Sequence, residues 1–421
     1  ETTIELDLVT AFERAPQANF QILLSEQQVQ SQESSTRISR SALLPQLSAD
    51  ITQGRSMSPT VDAFSQAFPG IPKRFFNNRF DALIRGRLAL LNVRSLDDWK
   101  LSRLDLQAAR LGVDNLVQEI LQQIAVAYFF HWRNQRRLDV IDANLERDQL
   151  LLRIAEDQRD AGVATNLDVT RAEVRLANNE LARLQQETAV MESELNLKRI
   201  LNYPLESTLV LKVEQRDWER GYTQWTDDRF ARVLEQRSDY QQLQAELQRA
   251  EFALKASQRE RLPSLTLSGE WGYAAETWSD DMFEQWAVQL GLSMPLFEGF
   301  RLTAQEQVAV STLRQKELEL ADLRQQIESQ YRLTLQNLDS RARQVEVSRR
   351  SRNLNEREFE LARIRFEEGV ADNSDVVDAQ AALADAEDQV VEAEFQYIQA
   401  LINRARIEGD VRQFQDSTAQ Y

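Results

Sequence analysis

"GVATNLDV" runs from Gly162 to Val169, and "GVADNSDV" runs from Gly369 to Val376. Six of the eight positions are identical, 207 residues apart, in a chain of 421 residues that holds only 12 glycines. The same offset superimposes Ala172, Leu176, Ala177 and Glu180 on Ala379, Leu383, Ala384 and Glu387. Upstream, "LLPQLSADITQG" (43–54) matches "RLPSLTLSGEWG" (261–272) at a slightly longer offset. Self-similarity over so long a period marks a tandem duplication. The two repeats are expected over 1–210 and 211–421, each in the order helix, strand, loop, strand, very long helix, turn, helix.

What surrounds the octapeptides sets the element types. Few Gly and Pro, with abundant Ala, Leu, Gln, Glu and Arg, favour long helices. Long helices are predicted over 94–160 and 301–367, each about 100 Å at about 1.5 Å per residue. Shorter helices are predicted over 165–201 and 372–408 after the turns, and over about 5–41 and 228–260 at the start of each repeat. Leu181, Leu184, Met191 and Leu195, matched by Val391, Phe395, Ile398 and Ile402, follow the three-four spacing of a coiled-coil seam.

Four segments switch to period two: 43–54, 80–92, 263–275 and 283–296. Leu47, Ala49 and Ile51, or Trp286, Val288 and Leu290, alternate with polar residues such as Asp50, Thr52 and Gln289. About ten residues is the length of a tilted strand crossing a bilayer. Phe75, Phe76, Phe80, Trp271, Tyr273, Trp278, Phe283 and Trp286 gather near the strand ends, as an interfacial belt requires. A small soluble sheet packed on the helices has the same alternation. Two hairpins beside such long helices have no core of their own, which favours lipid. Edges in lipid must close, and four strands cannot close a barrel, whereas three chains supply twelve.

The net charge of −17 speaks against nucleic acid and against anionic lipid headgroups. With no cysteine, neither disulfides nor thiolate metal sites are expected. The single histidine, His131, lies in the helical "AYFFHWRN" and reads as a packing residue. No Gly-rich phosphate loop, G-x-S-x-G or second His is present, so no enzyme, metal or cofactor is expected. No run of apolar residues is long enough for a membrane-spanning helix. The chain opens at Glu1 without a basic, apolar leader; a mature form with its signal removed is one reading.

The element order, the duplication, the "LPSL" and "MPLFEGFR" (294–301) strand boundaries and the paired Gly-to-Asp-Val turns resemble the TolC-like outer-membrane factor family. The resemblance covers nearly the whole chain. It implies a mainly α fold with a β-barrel portion, built as a homotrimer. A twelve-stranded barrel in the outer membrane of a Gram-negative bacterium would continue into a twelve-helix periplasmic tunnel. It implies an exit duct for efflux or type I secretion. A periplasmic adaptor (membrane fusion) protein and an inner-membrane pump of RND, ABC or MFS type would be its partners. A non-enzymatic coiled-coil scaffold is the alternative. The first-half strand boundary "LALLNVRSLDDW" departs from the Pro-Leu-Phe-acid-Gly form, and residue 1 is not the lipid-bearing cysteine of many members.

The turns have a local explanation as well. Gly162 and Gly369 suit the left-handed position past a helix end. Thr165 with Asp168, and Asp372 with Asp375, suit a capping box. Asp378 is left over. It lies three residues beyond Asp375 on the same helical face, where two carboxylates repel; the first copy has Arg171 at that place, three beyond Asp168. The resemblance assigns Asp375 and Asp378 to an acidic ring that constricts the tunnel, with Asp168, Arg171 and Phe366 beside it. It implies adaptor docking at Ala161, Gly162 and Val163, and at Glu368, Gly369 and Val370. Where the family's best-known form has a latching arginine, this chain has Ala371, and Phe366 stands without a hydroxyl.

Overall fold

The computed structural model describes residues 3–59, 74–213, 226–368, 370 and 373–416. The chain divides into two units. The first comprises Glu1–Gln27, Leu111–Gln242 and Leu320–Tyr421; the second comprises Gln28–Arg110 and Leu243–Glu319.

The elements follow in the order β1 (Thr3–Leu6), α1 (Leu8–Ala18), α2 (Phe20–Ser41), β2 (Gln46–Pro59), β3 (Arg74–Leu91), α3 (Val93–Asp160) and α4 (Asn166–Leu201). The rest are β4 (Thr208–Leu211), α5 (Asp227–Gln236), α6 (Ser238–Arg259), β5 (Ser264–Ala275), β6 (Phe283–Ser293), α7 (Arg301–Glu367), α8 (Asn373–Ile407) and α9 (Gln413–Asp416). The first helix of each repeat is not continuous, contrary to the expected 5–41 and 228–260. At Asn19 the side chain accepts from the amides of Gln21 and Ile22, so it caps α2 and stops α1. At Ser238 the chain restarts beside Asp239, which accepts from Arg237 at 2.9 Å and from the Tyr240 amide at 2.8 Å.

Four helices of the first unit stand in the order α4, α3, α8, α7, tied by ion pairs across each junction. Arg183 of α4 meets Asp142 of α3 at 2.7 Å; Arg137 of α3 meets Asp388 of α8 at 2.6 Å; Arg349 of α7 meets Glu394 of α8 at 2.7 Å. At one end Ile120, Ile124, Tyr128, Leu197, Leu201, Phe395, Ile398 and Ile402 form a core with Leu6 and Phe12. The parallel pair β1–β4 borders that core; with four residues each, these strands carry no readable period. The Tyr128 hydroxyl donates to the Lys212 carbonyl at 2.9 Å. His131 is fully buried, its Nδ1 2.8 Å from Ser193 Oγ, in the packing role expected.

The two seam sets have different fates. Val391, Phe395, Ile398 and Ile402 are at most 6% exposed, whereas Leu181, Leu184, Met191 and Leu195 are 40–64% exposed. Within one chain only the second set is covered.

The second unit carries one antiparallel sheet in the order β2-β3-β5-β6. β2 and β3 are longer than expected, because their register runs unbroken from Gln46↔Arg87 to Pro59↔Arg74. The register shift at Ala89/Leu91 falls in "LALLNV", where the alternation lapses. Leu47, Ile51, Trp286, Val288 and Leu290 share the apolar face and are exposed. On the other face Arg85 pairs with Asp50 at 3.0 Å and Glu270 at 3.4 Å. Among the described residues, no helix is long and apolar enough to cross a membrane, which says nothing about strands.

Gly272 of β5 is required by its neighbour. A Cβ there would lie 2.0 Å from the Ala82 carbonyl oxygen and 2.9 Å from the Leu83 Cα. Gly272→Ala is expected to cost about 1–3 kcal/mol or more, since the clash is with backbone that cannot step aside. Thermal unfolding in detergent checks this; an unchanged midpoint would mean that β3 and β5 do not approach so closely.

Candidate functional site

The site expected from the sequence lies at the turns α3–α4 and α7–α8, both in the first unit. α3 ends in a Schellman motif: the Val163 amide donates to the Gln158 carbonyl at 2.8 Å and the Gly162 amide to the Arg159 carbonyl at 2.9 Å. Gly162 has φ +79°, so the left-handed position required of it is occupied. Thr165 and Asp168 then form a complete capping box that starts α4. The Thr165 side chain and amide together hold the Asp168 carboxyl below its ordinary range. Arg171 stands 3.9 Å from Asp168, at the limit of an ion pair. At the first turn the acid is thus consumed by the fold.

The second turn differs. The Val370 amide donates to the Arg365 carbonyl at 2.9 Å, repeating the long-range bond of the first turn. Gly369, Ala371 and Asp372 lie outside the described residues, so the expectations placed on them concern sequence alone. Asp375 and Asp378 are both exposed on the first turns of α8. Neither makes an ion pair among the described residues. Glu368 is exposed, as is Ala161, and Val163 and Val370 are 70% and 71% exposed. Each turn therefore offers a bare valine at its apex.

Phe366 takes a different place from the acids. It is buried with Leu151, Phe359, Val376, Ala379 and Leu383, and its carbonyl accepts from Gln158 at 3.2 Å. Its ring packs α7 against α3 and α8, and that contact holds the two turns level.

The sequence reading missed a buried polar cluster beside the turns. The Asp148 carboxylate on α3 is 1% exposed. It accepts from Arg175 Nε of α4 at 3.0 Å, from Gln380 Nε2 of α8 at 2.6 Å, and from Asn179 of α4. Arg175 also donates to the Val377 carbonyl at 2.6 Å, next to Asp378. One carboxylate thereby ties three helices. In sequence it is one acid among many on a polar helix, and the only signal was its place two positions before the apolar Leu150–Leu152 run.

The family model for outer membrane efflux proteins matches residues 11–203 and again 231–409. The toluene efflux pump outer membrane protein TtgF of Pseudomonas putida is 25% identical over 366 residues, 84% of this chain and 72% of TtgF. Among solved structures, VceC from Vibrio cholerae superimposes with a TM-score of 0.80 at 17% identity, over 96% of each chain. The Campylobacter jejuni CmeC outer membrane channel gives 0.82 at 15% identity, over 98% of this chain and 89% of CmeC. At such identities the structural likeness speaks for the fold.

Proposed function

The chain belongs to the outer membrane efflux protein family, and from that premise we propose that it is the exit duct of a tripartite efflux or secretion system. Three copies would close a twelve-stranded barrel in the outer membrane and a twelve-helix tunnel in the periplasm. The duct does no chemistry; it conducts what an inner-membrane pump and a periplasmic adaptor deliver. Val163 and Val370, with Ala161, Gly162, Glu368 and Gly369, are the adaptor's docking points in this reading.

The observation that carries it is the sheet of the second unit. Its apolar face is exposed, with Trp286 and Val288 at 71% and 70%. Among the described residues its outer strands, β2 and β6, pair on one side only. An apolar face asks for lipid, and unpaired edges in lipid are too costly to leave open. Further copies of the same chain satisfy both demands at once, β6 of one pairing with β2 of the next.

The purified protein is expected to need detergent, to run as a heat-modifiable oligomer on a gel, and to open ion-conducting channels in planar bilayers. A monodisperse, detergent-free particle without conductance would sink the duct and favour a coiled-coil scaffold.

A further inference from the structure

We propose that the polar face of the sheet carries a binding recess for carboxylate-bearing solutes, with Arg87 as its single cation. This deepens the duct reading above and rests on it, because that reading turns the polar face toward the passage. Register sets the site. Gln46 of β2 pairs with Arg87 of β3, Arg87 with Ser268 of β5, and Ser268 with Gln289 of β6. Residues directly opposite on neighbouring strands share a face. One level of the sheet therefore reads Gln-Arg-Ser-Gln on the side away from Leu47 and Val288. Neighbouring strands lie about 4.8 Å apart, which puts Arg87 and Gln289 about 10 Å apart at the backbone. Ser268 between them is short, so both long side chains have room to meet one ligand above it.

The charge of Arg87 is uncommitted. Two residues away on the same face, Arg85 is spent on Asp50 at 3.0 Å and Glu270 at 3.4 Å. Arg87 is exposed and makes no ion pair among the described residues. From its level a recess of about 500 Å³ extends away from Glu270, over Thr266 and Gly291. Gly291 brings no side chain into that space, which keeps it open. Asn92 lines it too; the Ser95 amide occupies the Asn92 Oδ1 at 3.1 Å, which leaves the Nδ2 hydrogens to donate.

The composition of the lining selects the ligand. The chain has 67 acidic residues among 421, yet none lines this recess. One guanidinium with neutral amides and hydroxyls attracts an anion, and no carboxylate is present to repel it. The planar fork of an arginine matches the two oxygens of a carboxylate. Gln46, Gln289 and Asn92 supply donors for the lone pairs that the fork leaves over. A cation meets neutral oxygens here but no opposite charge. The recess thus favours the sign that the exposed acids of α8 disfavour.

The probe is citrate in planar bilayers of a neutral lipid, at about 0.1 M salt, where screening sets in beyond about 10 Å. Citrate is expected to block the native channel, and an uncharged sugar of similar size is not. Arg87→Gln should raise the half-blocking citrate concentration about tenfold, the weight of a hydrogen bond to a charged group. Gln289→Ala, which leaves every charge in place, should raise it about threefold, the weight of a neutral one. Both side chains are exposed, and conductance without citrate reports that each variant assembles. Block that is absent, or unchanged in Arg87→Gln, overturns the recess while leaving the duct standing. Block that Arg87→Gln weakens and Gln289→Ala does not would be the field of a lone charge, and the recess would fall as well. A native protein without any conductance would instead bring down the duct reading itself.

Discussion

Replacing Asp148 with alanine is expected to lower the unfolding free energy by about 3–5 kcal/mol, the cost of stripping one partner from a buried ion pair. Three donors from two other helices converge on this carboxylate: Arg175, Asn179 and Gln380. Without it the Arg175 guanidinium keeps the Val377 carbonyl but loses its counter-charge, with only 16% of the side chain exposed to solvent. The Gln380 amide is fully buried and its Oε1 has no partner among the described residues, so the loss of its Nε2 bond leaves both ends unmet. Denaturant unfolding in detergent measures the change, with limited proteolysis reporting whether α8 loosens from α3. Replacing Asp148, Arg175 and Gln380 together by apolar residues of similar volume should recover most of the loss. A single Asp148→Ala change costing less than about 1 kcal/mol would mean that the cluster is hydrated, and the buried-tie account would fail.

The second large effect concerns passage through the duct. Asp375→Ala with Asp378→Ala is expected to raise single-channel conductance and to weaken block by multivalent cations about tenfold, equivalent to about 1.4 kcal/mol of lost attraction. The contrast between the two turns motivates this. Asp168 is held by Thr165 and faces Arg171, so the first turn presents little free negative charge. Asp375 and Asp378 are exposed on α8, and three chains would bring two such carboxylates each to one constriction. A ring of like charges in a narrow passage binds cations and hinders anions. Asp168→Ala serves as the comparison: it should cost about 1 kcal/mol of stability through the lost cap and leave the block nearly unchanged. Identical conductance and block in the double variant would remove Asp375 and Asp378 from the constriction.

Much of this molecule is legible before any coordinate. The repeated Gly-to-Asp turn announced both a helix reversal and a duplication, and the Schellman bond of Val163 with the Thr165–Asp168 box is the chemistry those residues encode locally. The same holds for the period-two segments, since strand alternation is a property of a few consecutive residues. Phe366 was not legible in this way. As a lone aromatic near a turn it stood beside the expected gate, yet it packs into the cluster around Leu151 and Val376. Nor was Asp148, whose significance comes from donors 27, 31 and 232 residues away.

What the sequence by itself determined are features with a local cause, with the Asn19 cap that divides α1 from α2 as an exception it did not give. They are the helix and strand periods, the Thr165–Asp168 cap, the reversal at Gly162, the absence of thiols, and the duplication behind the four strands of the second unit's sheet and the two long helices. What only the tertiary structure decided is which of two equivalent seams is satisfied. Phe395, Ile398 and Ile402 are covered in one core with α3 and the end of α4, while Leu181 to Leu195 are left bare. Both stripes have the same spacing and much the same hydrophobicity. A periodic pattern states that a face must be buried; the neighbour that buries it is set by the order in which the helices stand, and no single helix carries that order.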